Sequence, residues 1–268
     1  EGSFGHVYRA VHPVIGKNAA VKVLHKQFSS SPEFVQRFIE EARAANKIRH
    51  RGIIDIFGFG ALADGRQYYV MEMLEGMTLD AYLQTKGQLE AVEALPILRG
   101  VARAIDAAHA AGIVHRDLKP DNVFLVLDED QIPKPKVLDF GIAKLLGDHA
   151  TGPKKTGVGA ILGTPHYMSP EQCKGAEIDK AADVYAFGVM TFEILTGQMP
   201  FNGTSALELM MQHVGHDPPK PSSVNPNLSA KVDASILLML SKDPKQRPAS
   251  LAQAVEELAR ASGFTWQL

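Results

Sequence analysis

His115-Arg116-Asp117-Leu118-Lys119-Pro120-Asp121-Asn122 is the stretch on which the reading of this chain turns. The apolar run Gly112-Ile113-Val114 precedes it and Val123-Phe124-Leu125-Val126-Leu127 follows, so a polar loop is held between two hydrophobic segments. An acid at 117, a base at 119 and an amide at 122 are the side-chain types needed to accept a proton, neutralise phosphate and hold a divalent cation. Phosphoryl transfer uses all three.

Outward from the loop, Leu95, Leu98, Ala102 and Ile105 recur at helical spacing up to Gly112, so a helix delivers the chain into it. On the other side, residues 123–127 and 136–138 read as a hairpin joined by the polar, proline-bearing link 128–135. Near the start, residues 5–11 and 18–24 read as strands around a turn at 13–16. Ser31-Pro32 opens a helix with Phe34, Phe38, Ala45 and Ile48 on one face, and Glu41 falls in the middle of that face. Two further strand-like runs, near 53–59 and 67–74, are divided by Ala63-Asp64-Gly65. After Glu75-Gly76 helical patterns take over. Val184, Phe187, Thr191, Ile194 and Leu195 mark an apolar helix ending at Gly197, and others follow near 205–214, 230–240 and 250–261. Residues 144–163, rich in Gly, Lys and Thr with little periodicity, read as a mobile segment.

The 268 residues carry 28 basic and 30 acidic side chains, a formal charge of −2, and 45% are hydrophobic. That suffices for a substantial core, as one large domain or two lobes. The balance argues against a broad nucleic-acid surface. Cys173 is the only cysteine, which excludes an intrachain disulfide or a cysteine-rich zinc site and fits a reducing cytoplasm. No apolar run reaches the roughly 18 residues of a membrane span and no signal peptide is visible. Neither nucleic acid nor membrane is expected as a partner of this stretch. The sequence opens at Glu1 inside a motif, which reads as a domain cut from a longer protein whose anchor, if it has one, lies in the flanks.

Taken together, the chain resembles the catalytic domain of a bacterial eukaryotic-like Ser/Thr protein kinase, whose signature H-R-D-L-x-x-x-N is matched in full at 115–122. Glu1-Gly2-Ser3-Phe4-Gly5-His6-Val7 is similar to the family's glycine-rich loop entered after its first glycine, where Gly2 and Gly5 let backbone amides approach phosphates. By itself this stretch reads better as an ordinary hairpin turn. Ala20-Val21-Lys22 resembles the strand end that presents a lysine to the phosphates and to a helix glutamate. A carboxylate centred on an apolar face is costly unless paired, so a Lys22–Glu41 ion pair is expected. Tyr69-Val70-Met71-Glu72-Met73 resembles the strand and hinge behind adenine, with Met71 as gatekeeper and backbone groups of Glu72 and Met73 facing the base. Val7, Ala20 and Phe124 would sandwich that base; each is also an ordinary core residue, and the family more often has leucine at the last position. Asp139-Phe140-Gly141, 22 positions beyond Asp117, looks like the metal-binding motif.

The resemblance implies a two-lobed α+β fold. Residues 1–74 would form a small antiparallel β lobe with one helix, lacking its first strand, and 75–268 a larger, mainly helical lobe. It implies ATP and Mg²⁺, with Asn122 and Asp139 as metal ligands. Asp117 would accept the substrate hydroxyl's proton and Lys119 would contact the transferred phosphoryl. Lys119 with Gly163-Thr164-Pro165 looks like the Ser/Thr class, so the partners would be proteins bearing Ser or Thr, and a homodimer would serve trans-autophosphorylation. His115 would pack below Phe140. Ser169-Pro170-Glu171 stands where the family has A-P-E; Glu171 would pair with Arg247, or form a surface salt bridge, and Asp183 would hold the loop backbone. Arg116 implies a phosphate-dependent switch, with Thr156 as first candidate and Thr151 as second. Two rival readings are a scaffold that keeps the fold without activity, and a small-molecule phosphotransferase of related fold. The intact Lys22, Asp117, Asn122 and Asp139 disfavour the first, and 163–171 the second.

Overall fold

The computed structural model describes residues 5–127, 133–140 and 165–266. Strands β1 (Gly5–Val11) and β2 (Asn18–Leu24) flank a turn in which Gly16 takes a φ of 67° and the His12 N–H donates to Lys17 O at 2.9 Å. A one-turn helix, α1 (Lys26–Ser29), leads into α2 (Pro32–Lys47), and β3 (Ile56–Ala61) and β4 (Gln67–Glu72) complete an antiparallel sheet of order β1-β2-β4-β3. Opposed residues of antiparallel strands share a face, and alternate residues return to it. The register Val7↔Lys22↔Tyr69 and Ala20↔Met71 therefore puts Val7, Ala20, Lys22, Tyr69 and Met71 on one face. Helix α2 lies against that face: Phe38 stacks on Tyr69 with ring centroids 4.7 Å apart, and Phe38, Ala42 and Ala45 are buried.

Beyond Glu72 come β5 (Gly76–Thr78), α3 (Leu79–Lys86), α4 (Ala91–Ala110), β6 (Val123–Leu127) and β7 (Pro133–Val137), the three strands forming a second sheet in sequence order. Helices α5 (Pro170–Cys173), α6 (Ala181–Thr196), α7 (Ala206–Gly215), α8 (Pro221–Val224), α9 (Lys231–Met239) and α10 (Leu251–Ala261) build the rest. The centre of this larger part is α4 against α6, whose Leu95, Leu98, Ala102, Ile105, Phe187, Ile194 and Leu195 are all buried. Gly197 ends α6 in the left-handed region with its N–H on Glu193 O. No helix among the described residues is long and apolar enough to cross a membrane.

The small antiparallel sheet with its long helix, followed by a larger helical part, is the expected two-lobed α+β plan. Three details differ from the sequence reading. The hairpin's second strand begins at Pro133 and not near Lys136, because β7 is an edge strand, where proline's missing N–H costs the ladder nothing. Strand β5 was not expected. It exists because Gly76, at φ 140°, lets the chain run so close to β6 that a Cβ there would sit 2.0 Å from Leu125 O. The one-turn helices α1, α5 and α8 are too short to leave a periodic signal.

Close approach also sets the seat of β7 against α4. A Cβ on Gly100 would lie 2.4 Å from Cγ of Pro135, a ring that cannot rotate away. Gly100→Ala should therefore destabilise the protein by about 1 kcal/mol, because overpacking of about 1–3 kcal/mol outweighs the gain of about 1 kcal/mol in helix propensity. Urea unfolding measures this, and a stabilised variant would contradict the packing.

Candidate active site

Burial of one cation organises the floor of the cleft between the two parts. Lys22 is only 3% exposed, and a lysine withdrawn from water needs compensating charge. Its Nζ lies 2.9 Å from Glu41 Oε1 on α2 and 2.6 Å from Asp139 Oδ2, two residues past β7. The Tyr69 hydroxyl donates to Glu41 Oε1 at 2.8 Å and sits 3.3 Å from Asp139 Oδ1. Burial pulls the lysine's pKa down, but Asp139 and then Glu41 outweigh it, and the ammonium is held above its ordinary range. Burial raises Glu41 to about 7, against the pull of Lys22 and with the repulsion of Asp139. Asp139 is the better-solvated carboxylate, its side chain 41% exposed; burial alone would raise it, yet Lys22 holds it below the usual carboxylate value.

The loop ahead of β6 is fixed by its backbone. Asp183, fully buried on α6, accepts the His115 N–H at 2.8 Å and the Arg116 N–H at 2.7 Å, and His109 Nε2 lies 2.7 Å from the same carboxylate. These bonds hold Arg116 at a φ of 66°, the one positive φ outside glycine among the described residues. The Arg116 carbonyl also accepts from Gln172 Nε2 at 2.9 Å, which ties the loop to α5. His115 is buried with its ring 4.9 Å from that of Phe140, and desolvation lowers its pKa. Asn122 Nδ2 donates to Asp117 O at 2.8 Å and to Asp117 Oδ2 at 3.2 Å, and Lys119 Nζ lies 3.5 Å from that oxygen. With its amide nitrogen anchored on Asp117, Asn122 offers its carbonyl oxygen as a ligand atom. That oxygen and the Asp139 carboxylate are hard donors of the kind a Mg²⁺ ion prefers, so these residues fit the expected metal.

At the cleft's far side the sheet presents Val7, Ala20 and Met71 on the Lys22 face. Phe124 pairs with Thr78 in the second sheet, and Met71, Glu72 and Met73 are half-buried where β4 ends. Glu171 and Arg247 form a two-pronged pair, Nη1 to Oε1 at 2.6 Å and Nη2 to Oε2 at 2.8 Å. Both residues are buried, and Arg247 also donates to the carbonyls of Ala181 and Ser241, so this is no surface bridge. Gly2, Thr151, Thr156 and the stretch Gly163-Thr164 lie outside the described residues.

Sequence reasoning missed Tyr69 as a partner of Glu41 and His109 as a partner of Asp183. The first was within reach: once β2 and β4 pair, Tyr69 falls opposite Lys22. His109 carried no local signal, because its role depends on α4 and α6 crossing.

Comparison with known proteins gives the same picture over most of the chain. The sequence description of the protein kinase domain matches residues 1–258. The chain is 47% identical over 251 residues to the serine/threonine-protein kinase Pkn1 of Myxococcus xanthus, covering 94% of this chain and 35% of that protein. It is 37% identical over 246 residues to the serine/threonine-protein kinase PrkC of Bacillus subtilis, covering 92% and 37%. The chain thus spans about a third of the length of these two relatives. Among solved structures it resembles the PknI kinase domain of Mycobacterium tuberculosis, with a TM-score of 0.75, 27% identity, and coverage of 98% of this chain and 92% of that one.

The shared lysine has a consequence for stability against pH. A carboxyl whose folded-state pKa is raised contributes stability that is complete below its unfolded value, near 4.5 for Glu41, and is lost as pH climbs toward about 7. Glu41→Gln removes that titration. Its unfolding free energy in urea should therefore decline less than that of the wild type between about pH 4.5 and 7. Parallel declines would show that Glu41 stays ionised throughout.

Proposed function

This chain belongs to the protein kinase domain family, of the bacterial eukaryotic-like Ser/Thr group, and from that premise we propose that it transfers the γ-phosphate of ATP to Ser and Thr hydroxyls of proteins. The observation that carries the reading is Lys22 held at once by Glu41 and Asp139, beside a loop that brings Asp117, Lys119 and Asn122 together.

In this reading the chain's own residues position and polarise. Lys22, fixed by Glu41, contacts the nucleotide phosphates; Gly2 and Gly5 cover them; and backbone groups of Glu72 and Met73 meet the base, which packs among Val7, Ala20, Met71 and Phe124. Asp139 and Asn122 would hold Mg²⁺, which would draw charge off the phosphate oxygens. Asp117 orients the acceptor hydroxyl and takes its proton as the oxygen attacks the γ-phosphorus, while Lys119 neutralises charge on the moving phosphoryl group. ADP leaves with the bridging oxygen, so one P–O bond forms and one breaks.

The same reading divides the domain at about residue 74, two residues after β4 ends, into a smaller lobe and a larger one. It places the domain in the cytoplasm, with autophosphorylation between two copies at Thr156, or at Thr151, read by Arg116. The rival scaffold and small-molecule readings both forecast no transfer to a protein acceptor.

Incubation with γ-labelled ATP, Mg²⁺ and casein should label the protein acceptor. Asp117→Asn should bind ATP nearly as well as wild type but transfer roughly 10²–10⁴-fold more slowly. Asp139→Asn should instead lose Mg²⁺-dependent nucleotide binding, measured by calorimetry. Labelling that is absent in wild type, or unchanged in Asp117→Asn, would falsify the assignment.

A further inference from the structure

One ion pair in the cleft wall belongs to none of these roles. Lys136 Nζ, on β7, lies 2.6 Å from Glu72 Oε1 at the end of β4, and the two side chains are 21% and 27% exposed. The same glutamate oxygen accepts the Asp55 N–H at 2.9 Å, and the Glu72 N–H donates to Asp55 O at 2.9 Å. Asp55 follows Ile54, whose N–H donates to Val137 O at 3.1 Å, and the Val137 N–H donates to Gly52 O at 2.7 Å. The contacts close a ring, from Glu72 to Asp55, back along the chain to Ile54, across to Val137 and through its neighbour Lys136 to Glu72.

We propose that Lys136 is a positioning residue for nucleotide binding, one that acts through Glu72 to latch the base-facing edge of β4 to β7, the strand that leads into Asp139. The proposal rests on the kinase reading given above. Its physical content is a fixed spacing. Glu72 immediately precedes Met73, where the chain passes from one sheet to the other, and Asp139 lies three residues beyond Lys136. A nucleotide with its base at the backbone of 72–73 and its phosphates toward Asp139 would span the two ends of this ring. Holding those ends at one separation before the nucleotide arrives spares the complex the cost of ordering them. The bond is charge-assisted and shielded from water on most sides, so it restrains the hinge more than a surface pair would. Backbone bonds at 52–54 tie β7 to the segment ahead of β3, and the Lys136 side chain reaches the end of β4 itself.

Lys136 does not touch the reacting atoms, so its loss should appear in the KM for ATP and not in kcat. The test is steady-state transfer to casein, with thermal melting in parallel, for wild type, Lys136→Met, Glu72→Gln, the double variant and Lys136→Arg. Methionine keeps the aliphatic stem of the lysine, and glutamine keeps an acceptor for Asp55. We expect KM for ATP to rise roughly three- to tenfold in each single variant, with kcat within about twofold. The double variant should be no worse than either single one, and Lys136→Arg should restore most of the affinity. A lowered melting temperature with unchanged KM would make the pair a structural brace only, and a raised kcat would make it a restraint on turnover; either overturns the proposal while leaving the kinase reading intact. A wild type that neither binds ATP in calorimetry nor labels casein overturns both.

Discussion

A lysine ammonium taken out of water costs several kcal/mol, and Lys22 is held out of water by the sheet, α2 and Tyr69. One carboxylate would neutralise it, but the structure supplies two, Glu41 from the long helix of the small lobe and Asp139 from the end of β7 in the larger one. Sharing one cation between them has a physical result. The helix and the segment after β7 are drawn to the same point. Tyr69 sharpens the arrangement, since its hydroxyl donates to Glu41 and so helps keep an otherwise raised carboxyl in place.

On the helical side a second buried charge, Asp183, does for the loop what Lys22 does for the cleft floor. Its two oxygens take the N–H groups of His115 and Arg116 and hold the backbone in a conformation that a non-glycine residue rarely adopts. Asp117 and Asn122 then project from a loop whose shape is set from below, and Asn122 is further anchored on Asp117 itself. The Glu171–Arg247 pair repeats the theme, binding α5 to the approach to α10 with every prong of the guanidinium engaged. Gln172, next to Glu171, carries that order back to Arg116.

Much of this was legible in the sequence, for identifiable reasons. Glu41 stood out because a carboxylate in the middle of an apolar helical stripe has to be explained, and Leu95, Leu98, Ala102 and Ile105 announced α4 by period alone. The strands 5–11 and 18–24 were bounded by turn residues, and β1 and β2 have the same limits. What escaped depends on elements meeting across the fold. Tyr69 looked like one more residue of a buried strand until its register put it opposite Lys22. His109 reads as a polar residue near a helix end until α6 brings Asp183 to it. Lys136 and Glu72 are 64 positions apart and carry no pattern that joins them. Pro133 and Pro135 argued against a strand, and only the edge position of β7 makes them acceptable.

Because they share Lys22, Glu41 and Asp139 should work as one unit. A double-mutant cycle on the affinity for Mg²⁺-ATP, with Glu41→Gln, Asp139→Asn and the combined variant measured by calorimetry, tests it most directly. Strong non-additivity is expected, with the combined variant losing far less than the sum of the single losses. Additive losses would mean that the two carboxylates act independently, and that the shared lysine does not organise the site.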